Sequence, residues 1–199
     1  MRRVRRFRKA GAHSRHAVFH SGADTLDSFG HRGGPPVNLA LRRGDRAVPP
    51  EEAEKILESA EYGFLSLVSD DEYPYAVPVS FAVVGKSAYI HCAPEGRKID
   101  MVSRNPRASL CAVARAETVP EKFTVRYDSA VAFGRITVCS DACEKRFGLR
   151  ALAEKYCPGL SSEAGAYIES ALSRTAVLRF DFDGISGKRN SVPDNLHRK

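Results

Sequence analysis

Apolar and polar residues alternate along several short stretches between Phe64 and Phe182, a pattern typical of half-buried β-strands. The turns between the first stretches are too short for crossover helices, as at Gly85-Lys86, so neighbouring strands must run antiparallel. Pro78 interrupts the second stretch, which favours an edge strand or a bulge at that point. The pattern predicts six strands, at residues 64–68, 75–84, 87–92, 108–113, 123–138 and 176–182.

Apolar residues at helical spacing predict four helices around these strands. Pro50 and the two glutamates after it begin the first, because proline suits the first turn and carboxylates suit the positive end of the helix dipole. Ser140 or Asp141 caps the third, whose predicted buried stripe is Leu149, Leu152 and Tyr156. The helices are predicted at residues 50–60, 97–104, 141–156 and 162–172. We therefore predict a mainly β protein, a six-stranded antiparallel barrel with flanking helices.

The sequence divides into three parts. In residues 1–47 the apolar residues show no sustained helical or strand periodicity, and the composition is rich in Arg, Gly, His and Ser, which predicts a disordered basic extension. One hypothesis is that the functional protein begins near Leu41. Residues 48–190 are predicted to form the folded domain, and residues 191–199 a C-terminal tail. No stretch approaches the roughly 20 apolar residues of a membrane-spanning helix, so we expect no membrane association.

The net charge of +7 is concentrated in the extension. Residues 1–47 contain 11 Lys and Arg against 3 Asp and Glu, whereas the remaining residues contain 20 against 21. Such an extension could bind phosphates non-specifically, but a solvated segment is the simpler interpretation, and we do not expect nucleic acid as the main partner. Five cysteines without a C-x-x-C pair favour free thiols in the cytoplasm, and no metal site is predicted.

The stretch from Tyr89 to Lys98 is the densest candidate for chemistry. A predicted strand runs into a Pro/Gly loop, and Arg97 and Lys98 stand at the start of the next helix. Free backbone N–H groups, the positive end of a helix dipole and two cations together suit a phosphate monoester. A solvated pair of cations is an equally good interpretation of the spacing alone. His91 lies directly before the loop and is either a structural histidine or a functional one.

Two further stretches are candidates for binding. Pro78 disturbs strand pairing, so the backbone of Val77 to Phe81 could bond a planar ring, although a simple edge strand would look the same. The segment Thr124–Ser129 mixes hydroxyl groups with Arg126 and Tyr127. There is no G-x-S-x-G or G-x-G-x-x-G motif. The shortage of acid–base groups favours a bound cofactor that carries the chemistry.

In their order along the chain, these stretches resemble the pyridoxamine 5'-phosphate oxidase-like flavin-binding split barrels, and most of all the branch with the nitroimidazole-resistance (Nim) proteins. The resemblance covers residues 42–190. The matching stretches are Arg42–Arg46, Tyr62-Gly63, Tyr75–Phe81, Tyr89–His91 with Gly96–Lys98, Tyr127–Ser129 with Phe133-Gly134, Glu144-Lys145 and Gly187-Lys188.

The resemblance implies a homodimer that binds flavin mononucleotide (FMN) in the cleft between its subunits. The backbone of five residues would border the isoalloxazine ring: Val77, Pro78, Val79, Ser80 and Phe81. The ribityl phosphate region would be held by His91, Cys92 and Lys98, with help from Arg97. Tyr127 and Ser129 would contribute near the interface. Cys92 departs from the glycine that is common in the Nim branch.

The resemblance implies a cytoplasmic FMN-dependent oxidoreductase, which passes electrons from a reduced nicotinamide or another donor to a small acceptor such as a nitroaromatic compound. His91 would be the catalytic residue, as a proton donor or a substrate anchor. The alternative is a non-catalytic flavin- or haem-binding protein on the same barrel, in which His91 would be an axial ligand.

Overall fold

The computed structural model describes residues 37–69 and 73–192 of the chain. Within them lie eight strands: β1 (Ala47–Val48), β2 (Gly63–Val68), β3 (Pro74–Val79), β4 (Ala82–Val84), β5 (Ser87–Cys92), β6 (Arg107–Val119), β7 (Thr124–Val138) and β8 (Ala176–Asn190). The same residues form four α-helices: α1 (Pro50–Ser59), α2 (Arg97–Arg104), α3 (Ala142–Tyr156) and α4 (Ser161–Ala171). No helix in the described part of the chain is long and apolar enough to cross a membrane.

The strands form one antiparallel sheet in the order β3-β2-β6-β7-β8-β5-β4, and β1 pairs with β8. The two edge strands, β3 and β4, are consecutive in the chain and are separated only by Ser80 and Phe81. If the seven strands lay flat, their edges would be about 29 Å apart, at roughly 4.8 Å per strand. The chain from Val79 to Ala82 spans at most about 11 Å. The sheet must therefore coil until its edges almost meet.

The predicted fold class is confirmed: the protein is mainly β, with an antiparallel sheet and flanking helices. The sheet is not closed, because β3 and β4 do not pair with each other within the described residues. The predicted strand at 75–84 is in fact two strands, since the chain leaves one edge of the sheet at Val79 and joins the other at Ala82. β1 is the other addition to the six predicted strands.

One large core fills the interior of the coiled sheet, and a smaller cluster of Tyr89, Cys139 and Val177 lies apart from it. The predicted apolar stripe of α1 is buried in full, including Ala60 just after the helix, and α1 contacts β6, β7 and β8. Opposite it lie large side chains from the strands, among them Phe180 and Leu110, which have no exposed surface. This packing places α1, which lies between β1 and β2 in the sequence, against three of the later strands.

The chain joins the sheet slightly before the predicted boundary at residue 48. A single 3-10 turn, Gly44–Arg46, leads into β1, whose Ala47 pairs with Lys188. The larger part of the predicted extension, residues 1–36, lies outside the described residues, as do residues 193–199 of the predicted tail.

Helix α3 holds the connection between β3 and β4 in place. Its N-terminus is capped as predicted: the Asp141 carboxylate accepts a hydrogen bond from the Glu144 N–H at 2.8 Å. At its other end, the Tyr156 hydroxyl accepts from the Phe81 N–H at 3.0 Å and lies 2.6 Å from the carbonyl oxygen of Glu61. The prediction that Tyr156 belongs to a buried stripe is wrong, because its ring is exposed and only Leu152 of the three is buried.

Gly134 allows β7 and β8 to approach closely at a bulge, where the register shifts between Phe133 and Gly134. A Cβ at Gly134 would overlap the carbonyl oxygen of Asp181. We expect Gly134→Ala to lower the free energy of unfolding by about 1–3 kcal/mol, measured by urea denaturation. Gly165→Ala in α4 is the control: nothing lies near its Cβ position, and alanine should raise stability by up to about 1 kcal/mol. Equal effects of the two substitutions would contradict the close approach.

Tyr156→Phe removes the acceptor of the Phe81 N–H, and Phe81 has no exposed surface. An unsatisfied buried N–H costs about 1–3 kcal/mol, so we expect a loss of that size in the free energy of unfolding. Tyr167→Phe is the control, since Tyr167 is 69% exposed. A stability of Tyr156→Phe equal to that of the wild type would mean that the hydroxyl does not hold the segment.

Candidate functional site

A cavity of about 680 Å³ opens between α3, α4 and the end of β5. Ser80 and His91 both line it. Its volume lies within the range of about 300–1,000 Å³ that small-molecule sites occupy. Most of the remaining wall is apolar and comes from the two helices, including Leu149, Leu152, Ala153, Ile168 and Ala171.

Strand pairing explains why Ser80 and His91 meet. β4 pairs with β5 so that Ala82 lies opposite Tyr89. When this antiparallel register is extended by two residues, Ser80 is level with His91. Ser80, one of the two residues that join the sheet edges, therefore lies at the cavity, next to the end of β5.

His91 and Cys92 point to opposite sides of β5, because side chains alternate along a strand. His91 is exposed, and its imidazole forms no hydrogen bond or ion pair within residues 37–69 and 73–192. Cys92 packs against the core. Burial raises the pKa of the Cys92 thiol, and the nearby Lys98 cation acts in the opposite direction. Cys92 is therefore a neutral thiol beside Lys98, while His91 faces the cavity.

The loop after β5 ends at Gly96, which precedes α2 with a φ of 113°. This backbone conformation is one that side chains disfavour, so glycine is required there. No side chain caps the N-terminus of α2, and Arg97 and Lys98 occupy its first positions. The Arg97 guanidinium lies 4.8 Å from the centre of the Tyr75 ring on β3. A cation–π contact thus connects the start of α2 to the edge strand.

The candidate ring-binding segment lies on the free edge of the sheet. β3 pairs with β2 on one side, with Pro78 opposite Phe64, and its other side has no strand partner in the described structure. This edge position suits proline, which cannot donate a ladder hydrogen bond. Phe81 differs from the other four residues: it has no exposed surface at all, and its N–H and C=O both lie 3.0 Å from the Tyr156 hydroxyl. Phe81 therefore anchors the segment from inside.

Tyr127 and Ser129 lie apart from the His91 cavity, whose lining contains neither of them. Both belong to β7, where they pair with Asn190 and Lys188 of β8. The Tyr127 hydroxyl lies 3.4 Å from an Arg46 nitrogen. Arg46 borders a second, charged cavity of about 460 Å³. The structure brings Ser80 and His91 to the same cavity and leaves Tyr127 and Ser129 at a different place.

Sequence reasoning missed two parts of the site. The hydrogen bonds of Tyr156 reach residues 75 and 95 positions earlier in the chain, so no local signal could indicate them. The α3 side of the wall, which includes Leu149, Leu152 and Tyr156, is predicted from the sequence as a buried stripe, because a cavity-lining stripe and a buried stripe have the same helical spacing. Arg174 also lines the cavity, and no motif around it in the sequence indicates this position.

Comparison with solved structures gives matches of low sequence identity and similar fold. A protein from Bacteroides thetaiotaomicron assigned to 5-nitroimidazole antibiotic resistance is 23% identical, with a TM-score of 0.61 over 71% of this chain and 85% of its own. The flavocytochrome Anf3 from Azotobacter vinelandii is 18% identical, with a TM-score of 0.62 over 77% and 73% of the two chains. A FAD- and haem-binding protein from Mycobacterium smegmatis is 24% identical, with a TM-score of 0.62 over 74% and 75%.

Comparison with curated protein sequences gives no match. The family model described as pyridoxamine 5'-phosphate oxidase matches residues 49–189. This range runs from just before α1 almost to the end of β8 and contains the candidate site. The chain belongs to the pyridoxamine 5'-phosphate oxidase family.

Proposed function

We propose that the protein is an FMN-dependent oxidoreductase that passes electrons from a reduced nicotinamide or another donor to a small electrophilic acceptor such as a nitroaromatic compound. The observation that carries this proposal is that Ser80 and His91 line one cavity, and that the strand of His91 leads through the Gly96 loop into the uncapped start of α2. The 5-nitroimidazole resistance assignment of one similar structure supports the choice of acceptor.

The start of α2 fits the phosphate of FMN. Its first N–H groups have no side-chain cap, and glycine at residue 96 leaves open space where a Cβ would stand. Lys98 and Arg97 add positive charge at the positive end of the helix dipole. A dianionic phosphate at this place would be bound by backbone donors and by charge together. The neutral thiol of Cys92 would lie beside it without repelling it.

The isoalloxazine ring would lie along the segment from Val77 to Ser80. The segment is an edge, so backbone groups there face no neighbouring strand. Tyr156 and the buried Phe81 side chain fix its far end. The flavin supplies the redox chemistry when it is bound, and the protein orients the ring.

His91 would serve the acceptor, as an anchor or as a proton donor. Its imidazole is exposed to the cavity and has no competing partner among the described residues. Imidazole is well suited to hold or deliver a proton near neutral pH.

A homodimer completes the proposed site. The outer face of β2 and β6 exposes a group of apolar side chains that a monomer would leave in water: Phe64 at 45%, Val68 at 51% and Val113 at 50%. Strand pairing places Phe64 beside Cys111, and Val113 opposite Ser129. Clustered apolar residues on a sheet face favour association with a second surface. The partner's copy of this face would bring Tyr127 and Ser129 towards the flavin.

The five cysteines are all unpaired, which supports a cytoplasmic location.

Haem binding is a second candidate function. The specific observation in its favour is that an unpartnered histidine, His91, lies on a largely apolar cavity. One of the similar structures is a flavocytochrome, and another binds FAD and haem. In this reading His91 would be an axial ligand, and the protein would store or sense the cofactor without catalysis.

The absorbance spectrum of the purified protein, followed by titration with FMN, tests the proposal. Flavin bands and saturable binding of one FMN per subunit are the expected result. An intense Soret band with no flavin binding would replace the oxidoreductase proposal with the haem alternative.

Lys98→Ala should weaken FMN binding by about 10–100-fold, since a hydrogen bond to a charged group contributes about 1.5–3 kcal/mol. Riboflavin lacks the phosphate, so its affinity should not change. Isothermal titration calorimetry with both flavins measures the difference. Lys86→Ala, in the exposed turn between β4 and β5, is the matched control. Equal losses for FMN and riboflavin would place the phosphate elsewhere.

His91→Ala should keep stability close to that of the wild type and lower turnover of a nitroimidazole by at least about tenfold. The side chain is exposed and unpartnered, so its removal disturbs no contact of the fold. Steady-state kinetics with the flavin-loaded protein measures the change. Unchanged turnover would remove His91 from the mechanism.

A further inference from the structure

The cavity has an apolar part and a polar part. The apolar part lies on α3 and α4, at residues such as Leu149, Ile168 and Ala171. The polar part includes His91, Arg174 and Thr175. Tyr156 adds little polarity, because its hydroxyl is already bonded to Phe81 and lies within hydrogen-bond distance of Glu61.

Arg174 is a cation available to a ligand. It lies in the turn between α4 and β8, where its N–H donates to the carbonyl of Ala171 at 3.1 Å. Its guanidinium is exposed and forms no ion pair or hydrogen bond with the described part of the chain. Glu163, the acidic side chain of the cavity, already takes part in an interaction of its own.

The position of Arg174 relative to His91 follows from strand pairing. The β5–β8 ladder ends where Cys92 pairs with Ala176. Arg174 precedes Ala176, so it lies just beyond this end of the ladder, on the side of the loop that follows Cys92. His91 and Arg174 are therefore close to the same end of β5, and the apolar helices extend away from it.

Polar contacts hold the walls of the cavity together. The Arg146 guanidinium on α3 forms two hydrogen bonds with the Glu169 carboxylate on α4, at 2.7 and 3.0 Å. The Lys145 ammonium donates to the carbonyl of Leu172 at 2.7 Å, which fixes α3 to the turn before β8. The separation of the helices is thus set by contacts outside the cavity, and a ligand does not have to create it.

We propose that this cavity binds a small amphipathic organic acid, whose aromatic or aliphatic body lies against α3 and α4 and whose acidic group pairs with Arg174. The body gains from removal of its apolar surface from water, and the guanidinium supplies a charge-assisted hydrogen bond. A cationic ligand would be repelled by Arg174, and a sugar would find few hydrogen-bonding groups on the helices. The assignment of this acid as the electron acceptor beside His91 rests on the proposed function; its binding does not.

The test compares two probes of the same shape, the acid naphthoate and its neutral amide naphthamide. Both are titrated by calorimetry into the full-length protein saturated with FMN. The wild type should bind naphthoate about tenfold more tightly than naphthamide, as one exposed charge-assisted hydrogen bond allows. Arg174→Ala should abolish this preference and leave the affinity for naphthamide unchanged.

Two variants locate the effect. Arg150→Ala removes a different exposed arginine, which lies on α3 and does not line the cavity. This variant should keep the preference for naphthoate over naphthamide. Ala164→Phe fills the cavity and should weaken both probes by about tenfold or more. A preference that survives Arg174→Ala, or equal binding of the two probes to the wild type, would overturn the inference.

Competition with FMN separates this inference from the proposed function. Displacement of naphthoate from the FMN-free protein by one equivalent of FMN would mean that the flavin itself fills the cavity, which overturns the inference and leaves the flavin proposal in place. A protein that binds no flavin but retains the Arg174-dependent preference for naphthoate would overturn the proposed function and leave this inference in place.

Discussion

The short connection between β3 and β4 is the constraint on which the rest of the structure depends. Because only Ser80 and Phe81 separate the two edge strands, the sheet has to coil around one core, and its edges end up side by side without pairing. The connection is secured from inside by the buried Phe81 ring and from outside by the last turn of α3. There, Tyr156 binds the Phe81 backbone, and the Lys155 ammonium lies 4.2 Å from the centre of the Phe81 ring.

The candidate site is a consequence of this connection. An unclosed sheet leaves backbone groups of β3 without a neighbouring strand, which is the condition for binding a planar ring. The register of β4 with β5 brings Ser80 level with His91, and the chain after β5 turns through Gly96 into the uncapped start of α2. The groups proposed to bind ring and phosphate lie on β3 and at the start of α2, and the contact between Arg97 and Tyr75 connects these two places. The cavity proposed to bind an organic acid lies beside these groups, between α3, α4 and the end of β5.

The sequence predicted the features that depend on local pattern. The strands around Phe64 and Ile90, the helix from Arg97 to Arg104 and the cap at Asp141 all follow from periodicity and from residue preferences within one turn. It predicted one strand at 75–84 because the alternation continues across Ser80 and Phe81, although the chain changes sheet edge there. Contacts between distant residues, such as Tyr156 with Phe81, leave no local signal. The same limit applies to the cavity, since the spacing on α3 does not tell a core stripe from a cavity wall.

Hydrogen–deuterium exchange with and without FMN tests the proposed flavin site, because it reports where the cofactor binds along the backbone. FMN bound at this site should slow exchange in two separate segments, residues 77–81 at the sheet edge and residues 93–98 at the start of α2. Protection confined to α3 and α4, or unchanged exchange in both segments despite saturating FMN, would contradict the proposed site.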